Sequence, residues 1–328
     1  MLVSILINNY NYGRFLRFAI DSALAQTYRP TEVVVVDDGS TDDSRAIISS
    51  YQHRIIPLLK TNGGQASAFN AGFAACRGDL ICFLDADDEF EPAKVQRVID
   101  EQAQHPDTWY FNKVQFVNHD SRSIDGSPIL PHASGLHDFR ADSLEGKDSF
   151  WPPATSGLSF SRVLLERLIP MPEDIRITSD NYLKFSAIAL VPGVIINEAL
   201  SLQRIHGENA YTLKQDPLLR AETNFLTGKA IRQRHPELRK IGNRLVASGL
   251  GRKYRSGNRG RALWRDLIDY TSSLPVREKS IVYAQFCYNA FLKPSTARPK
   301  HPPSQAQINQ SRELKSPAEK VAPGKGQH

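Results

Sequence analysis

No stretch of the 328-residue sequence approaches the roughly 18 to 20 consecutive apolar residues that cross a bilayer, which argues against an integral membrane protein. Residues 1–7 are too short for a secretory leader and lack its basic lead and cleavage site; they read as a first strand. Cysteine is scarce. Cys76, Cys82 and Cys287 are an odd number without metal-ligand spacing, so a reduced, cytoplasmic compartment is expected. Internal repeats are also missing, which sets repeat arrays aside.

The length suits a full α/β domain plus a smaller appendage, and 41% hydrophobic with 23% charged residues is ordinary for a globular chain. The net charge of +6 is unevenly spread. Residues 214–265 hold 14 Lys or Arg against 3 Asp or Glu, a balance of +11 that leaves the remainder at −5. Such asymmetry suits a region facing anionic lipid, phosphate or an acidic partner; the alternative is the solvated faces of helices.

The stretch over 63–88, GGQASAFNAGFAACRGDLICFLDADD, combines a Gly-rich entry, a small-residue helix, a Gly-Asp turn and a buried strand that ends in acids. Asp85, Asp87 and Asp88 at a buried strand end are costly without a cation among them, and a hard divalent ion suits them. They could equally be a solvated loop that caps the next helix.

The rest of the chain bears on that choice. LVSILI over 2–7 reads as a buried parallel strand feeding the polar loop Asn8-Asn9-Tyr10-Asn11-Tyr12-Gly13. A helix over 14–26 follows, then a second strand, EVVVV, that ends at Asp37-Asp38-Gly39-Ser40. Asp42 is placed to cap a helix over 43–51; 54–59 reads as a third strand, 80–84 as a fourth and 108–117 as a fifth. This βαβαβ order predicts an α/β fold with an open, mostly parallel sheet flanked by helices. Ligands of such sheets bind beyond the carboxyl ends of the strands, where all three polar clusters fall.

Residues 118–149 read as a long polar loop of the kind that forms lids. Helices are expected over 161–168 and 182–190, with Asp180 near the start of the second, and two short strands over 193–205 lead into Arg204 and His206. Residues 211–293 read as basic helices and 294–328, rich in Pro, Lys, Ser and Gln, as a disordered tail.

Four blocks together resemble the family 2 glycosyltransferases, inverting enzymes of the GT-A fold: VSILINNYNYGRFLRFAIDSALAQTY, EVVVVDDGSTDDS, NGGQASAFNAGFAACRGDLICFLDADD, and the pair TSDNYLKF and QRIHGEN. The resemblance implies a GT-A domain over 1–210, with a nucleotide-sugar-binding half (1–117) and an acceptor half (118–210). It also implies single-sugar transfer from a nucleotide-sugar donor to a hydroxyl acceptor, a glycan or lipid-linked glycan, in polysaccharide or glycoconjugate synthesis. Asn8, Tyr10, Asp37, Asp38, Asp85 and Arg204 are expected around the donor, Asp87 and His206 on Mg²⁺ or Mn²⁺, Asp180 as the general base, and Trp151 at the acceptor.

Plainer readings stand beside these: Asp37 and Asp38 opening a turn, Asp85, Asp87 and Asp180 as helix caps, His206 and Trp151 as packing. Two positions depart from the family pattern, Asn8 where Pro is frequent and Ser179 where Glu is frequent. The Gln-x-x-Arg-Trp element of processive members is absent, which favours single-sugar transfer. The alternatives carried forward are a catalytically weak nucleotide-sugar binder, a nucleotidyltransferase, which would want a glycine-rich basic loop near the first strand, and a receiver domain, whose acids would follow the first strand. No nucleic-acid partner is expected; peripheral contact with anionic membrane at the inner face of the plasma membrane is.

Overall fold

The computed structural model describes residues 1–147, 150–207, 209 and 216–292; the expected disordered tail over 294–328 lies outside the described residues. The first half alternates strand and helix: β1 (Val3–Asn9), α1 (Gly13–Leu24), β2 (Thr31–Asp38), α2 (Ser44–Ser50), β3 (Ile56–Lys60), α3 (Gln65–Ala75), β4 (Leu80–Asp85), the short β5 (Glu89–Phe90) and α4 (Lys94–Gln104). There follow β6 (Trp109–Val117), β7 (Gly135–His137), α5 (Arg140–Leu144), β8 (Leu158–Ser161), α6 (Arg162–Leu168), α7 (Asp180–Leu190) and β9 (Gly193–Arg204). Four α-helices follow, α8 (Pro217–Arg234), α9 (Arg239–Arg255), α10 (Arg261–Ser272) and α11 (Val276–Cys287), and a π-helical turn (Tyr288–Leu292) ends the described residues.

The strands form one sheet in the order β3-β2-β1-β4-β8-β6-β9-β5, with β7 also on β9. It is parallel through β3-β2-β1-β4 and mixed beyond, because β8 enters antiparallel between β4 and β6. The expected fifth strand therefore pairs with β8 and β9 rather than with β4. The two short strands expected near 193–205 are one strand, β9, whose pairing with β6 shifts register around Lys113. Such a bulge bends a strand without ending it.

Although β1, β2 and β4 read as continuous apolar runs, their side chains alternate between two cores. Leu6, Val34, Val36, Ile81 and Phe83 pack on one face with α3 and α7; Ile5, Ile7, Val33, Val35 and Leu84 pack on the other with α1 and α4. The small residues of α3 have a steric reason: a Cβ on Gly72 would fall into Leu6 and Val36. A third core joins α8, α9, α10 and α11 through Phe225, Val246, Leu250, Leu263, Leu267 and Phe286. Among the described residues no helix is long and apolar enough to cross a membrane.

Candidate active site

Parallel register brings the strand-end residues together: Asn8 pairs with Val36 on one side and Asp85 on the other, and Asn9 with Asp37. Asn8 Nδ2 donates to Asp85 Oδ1 at 2.8 Å, a bond that proline at this position could not make. Asn9 Nδ2 donates to Asp37 Oδ1 at 3.0 Å and to Ser40 Oγ at 3.1 Å.

The two β2 acids differ. Asp37 is fully buried and also accepts from Ser40 N at 3.1 Å and Arg45 Nε at 2.9 Å. Asp37 is expected around the donor; in the structure its oxygens brace the turn after β2. Asp38 accepts from Lys60 Nζ at 2.6 Å and from the backbone of Gly63 at 2.9 Å and Gly64 at 2.7 Å, so it holds the glycine loop. Gly64 has φ +90°, and the Arg176 backbone occupies the place of a Cβ there. Tyr10, just past β1, is 48% exposed, with its ring open to an incoming flat group.

The loop after β4 concentrates charge. Asp85 is pushed up to about 7 by burial, then by the charge on Asp87, with Asp180 adding to it while the Asn8 amide and Thr155 hydroxyl oppose. Asp88 is raised well above the usual carboxylate range by burial, then by Asp87 and Asp85. Its hydrogen bonds define its role: Oδ2 accepts from Ser156 Oγ at 2.6 Å and Oδ1 from Arg204 N at 2.9 Å, which ties the β4 loop to β8's approach and to the end of β9.

Arg204 is fully buried, and all five of its N–H groups are engaged: Nε with Asp87 O, Nη1 with the Asn118 and His119 carbonyls, Nη2 with Glu89 and Ser121. Expected around the donor, where its charge would offset a diphosphate, Arg204 has every N–H on a protein oxygen. It clasps the β4 loop to the segment after β6.

His206 Nε2 lies 3.0 Å from Asp87 Oδ2, and Asn209 Nδ2 donates to the same oxygen at 3.3 Å. Arg14 Nη2 approaches His206 Nδ1 at 3.3 Å; arginine only donates, so this contact assigns the imidazole proton to Nε2. Among the described residues no three His, Cys, Asp or Glu enclose a metal by themselves. Asp87 and His206 nevertheless fit a divalent ion that completes its shell with phosphate oxygens and water. Their donor atoms are 3.0 Å apart, the spacing of adjacent ligands on a cation with bonds of about 2.1 Å. The carboxylates of Asp85 and Asp88 nearby, both raised by burial, are the kind of surroundings in which a cation is favourable. An ion held by Nε2 would need the imidazole proton on Nδ1, the atom that now faces Arg14.

Asp180 opens α7 and is buried; Oδ2 accepts from Lys184 Nζ at 2.7 Å, and Nζ also reaches Pro153 O at 3.2 Å. The helix start is pinned from both sides. Gln65 Oε1 accepts from Ser179 N at 2.8 Å and Ser179 Oγ at 3.1 Å, and Gln65 N donates to Arg176 O at 2.9 Å. Thr178 sits at φ +53°, a conformation that strains a β-branched residue, and its Oγ1 donates to Thr223 Oγ1 on α8 at 3.1 Å. Trp151 is 71% exposed and meets Phe185 of α7 edge to face, centroids 6.2 Å apart, which puts its ring on the helix that carries Asp180.

Several of these residues escape a sequence reading. Lys184 carries a usable signal, the i,i+4 ion-pair spacing from Asp180. Gln65, Ser156 and Asn209 carry none, because their partners are 114, 68 and 122 residues distant.

Fold and site together define an α/β domain of the GT-A type, with its acids gathered beyond the carboxyl ends of the parallel strands. The glycosyl transferase family 2 model matches residues 4–157, and the chain carries a domain of that family. An uncharacterized glycosyltransferase of Nostoc sp. is 38% identical over 215 residues, 64% of this chain and 66% of the relative. One of Rickettsia prowazekii is 46% identical over 98 residues, 30% of this chain and 31% of the relative. The matches thus span just under two thirds of the first relative and under a third of the second. In fold the chain is similar to TarS of S. aureus, crystallised as residues 1–349 with UDP, at TM-score 0.61 and 18% identity, covering 88% of this chain and 89% of that one.

Proposed function

We propose that the protein is an inverting, divalent-metal-dependent glycosyltransferase that moves one sugar from a nucleotide donor to a hydroxyl acceptor. The observation that carries this reading is the meeting of two acidic elements at one strand edge. The Asp85–Asp88 loop carries Asp87 with His206 3.0 Å away, and the Asp180 charge is felt at Asp85.

Within this reading Tyr10 lies against the base, Asp38 holds the glycine loop that borders it, and Asp85, kept in orientation by Asn8, accepts from the ribose. Asp87 and His206 would hold Mg²⁺ or Mn²⁺, which when bound supplies Lewis-acid stabilisation of the leaving diphosphate. Asp180 takes the proton of the acceptor hydroxyl as that oxygen forms its bond to the anomeric carbon, and the bond to the donor phosphate breaks with its electron pair on the nucleoside diphosphate. Attack opposite the leaving group inverts the anomeric centre. Lys184 fixes Asp180 through Oδ2 and leaves Oδ1, which has no hydrogen-bond partner among the described residues, for the hydroxyl. Trp151 supplies an apolar wall for the acceptor, a glycan or a lipid-linked glycan. The basic helices α8 to α10 supply a surface for anionic membrane at the cytoplasmic face.

TarS binds UDP and UDP-GlcNAc, so uridine diphosphate sugars are the first donors to try. Incubation with a panel of sugar nucleotides, Mn²⁺ and simple acceptors should release the nucleoside diphosphate of one donor class. Tight binding of a sugar nucleotide with no release would favour the binding-protein alternative.

A further inference from the structure

The segment over 252–268 holds six Lys or Arg and one Asp, a balance of +5 within a chain whose total is +6. It covers the end of α9, the turn after it and most of α10. The inner face of α10 is apolar in the ordinary way, with Leu263, Leu267 and Thr271 buried. Its outer face is not the expected polar one. Arg261, Trp264, Arg265 and Ile268 follow one another at helical spacing, all exposed, Trp264 at 41% and Ile268 at 58%.

Neighbouring elements extend this face. The Tyr254 ring is flanked by the Arg259 guanidinium at 4.8 Å, by Trp264 at 6.0 Å and by Phe291 at 5.0 Å. Phe291 and Leu292 are 60% and 71% exposed. Three exposed arginines thus ring an exposed apolar cluster of Trp264, Ile268, Phe291 and Leu292. Soluble surfaces scatter apolar residues singly; a cluster edged mainly by arginines, with the exposed Asp269 as the acid on its flank, marks a binding face. An indole beside aliphatic side chains, with guanidiniums at the rim, matches the boundary between headgroups and acyl chains, where apolar atoms insert and arginine meets phosphate.

We propose that this face docks the protein on an anionic bilayer, with Trp264, Ile268, Phe291 and Leu292 entering the interface and Arg259, Arg261 and Arg265 on the lipid phosphates. The docking deepens the reading of a lipid-linked acceptor, yet it is measured without any sugar nucleotide, so the two succeed or fail separately.

The test is co-sedimentation with vesicles of phosphatidylcholine alone or mixed with phosphatidylglycerol. Expected is binding to the mixed vesicles that weakens with salt. Neutralising the rim in R259Q/R261Q/R265Q should lower it on the order of a hundredfold. Trp264→Ala should weaken binding with the salt dependence kept, and each variant's circular dichroism and melting curve should match wild type. Three results would overturn the proposal: no preference for phosphatidylglycerol, undiminished binding by the folded triple variant, or binding to a single-stranded oligonucleotide but not to vesicles. Self-association lost in Trp264→Ala without vesicle binding would also overturn it, by assigning the face to a second copy.

Discussion

Asp180 and Lys184 are a buried pair in which each charge depends on the other. Their side chains are 7% and 9% exposed, so removing the ammonium strands a carboxylate beside Asp85. Lys184→Met should therefore cost about 3 kcal/mol of stability, whereas adding Asp180→Asn to it should recover much of that loss. Urea unfolding of the two single variants and the double variant checks this; additive losses would show that the pair does not act as a unit. Ser179 belongs to the same scale. Where the family pattern often has a second acid, this chain has a residue whose N–H and hydroxyl both go to Gln65, so the base assignment rests on Asp180 alone.

At the scale of elements, α7 is set by its neighbours more than by its own sequence. Thr178 is kept at a positive φ while its hydroxyl reaches Thr223 on α8, and Tyr182 Oη lies 3.1 Å from His235 Nε2 just beyond that helix. The C-terminal helices thereby help to aim the residue at the start of α7. Thr223→Val should lower kcat on the order of tenfold while KM and Tm change little, as a small misplacement of a reacting group does. An unchanged kcat would make Thr223 a packing residue only.

A second joint lies under the acidic loop. Lys94 Nζ, fully buried, donates to Ser156 O at 2.7 Å, Asn112 Oδ1 at 2.9 Å and Ser201 Oγ at 3.2 Å, stitching α4 to β6, β9 and the approach to β8. Burial lowers its ammonium from 10.5 to about 8. Between those values the unfolded chain holds a proton that the folded chain has released, so stability from this group grows as pH rises and is lost as pH falls through about 8. Unfolding curves from pH 8 to 10.5 should show wild type gaining up to about 3 kcal/mol relative to Lys94→Met. A parallel pH course in the two proteins would contradict it.

The first four strands are legible because apolar runs ending in Asn or Asp leave few other readings, and the small-residue helix α3 follows from the tight space over Leu6 and Val36. The place of β8 is not legible. LSFS is too short for a periodicity, and its antiparallel entry depends on which strand edges are open after folding. Arg204 and Asp37 show the same limit for side chains. A charged residue beside a motif reads as a ligand contact, and its protein partners, such as Asn118 and Glu89 for Arg204, cannot be read there because they arrive from segments about 85 and 115 residues away.

Over the whole molecule, charge is divided between an acidic strand edge and a basic helical face. Asp85, Asp87, Asp88 and Asp180 gather beyond the ends of the parallel strands, where a divalent cation would offset negative charge, and the Arg-rich end of α9 and α10 supplies the opposite sign. The central claim concerns the first of these poles, that Asp180 activates an acceptor hydroxyl against a nucleotide sugar. The most direct measurement is nucleoside diphosphate release in the presence of Mn²⁺ and acceptor by wild type and by Asp180→Asn, with donor binding followed in parallel. The account predicts retained donor binding and a rate lower by about a hundredfold to ten-thousandfold in the variant. Equal rates in the two proteins, or release of a nucleoside monophosphate instead, would contradict it.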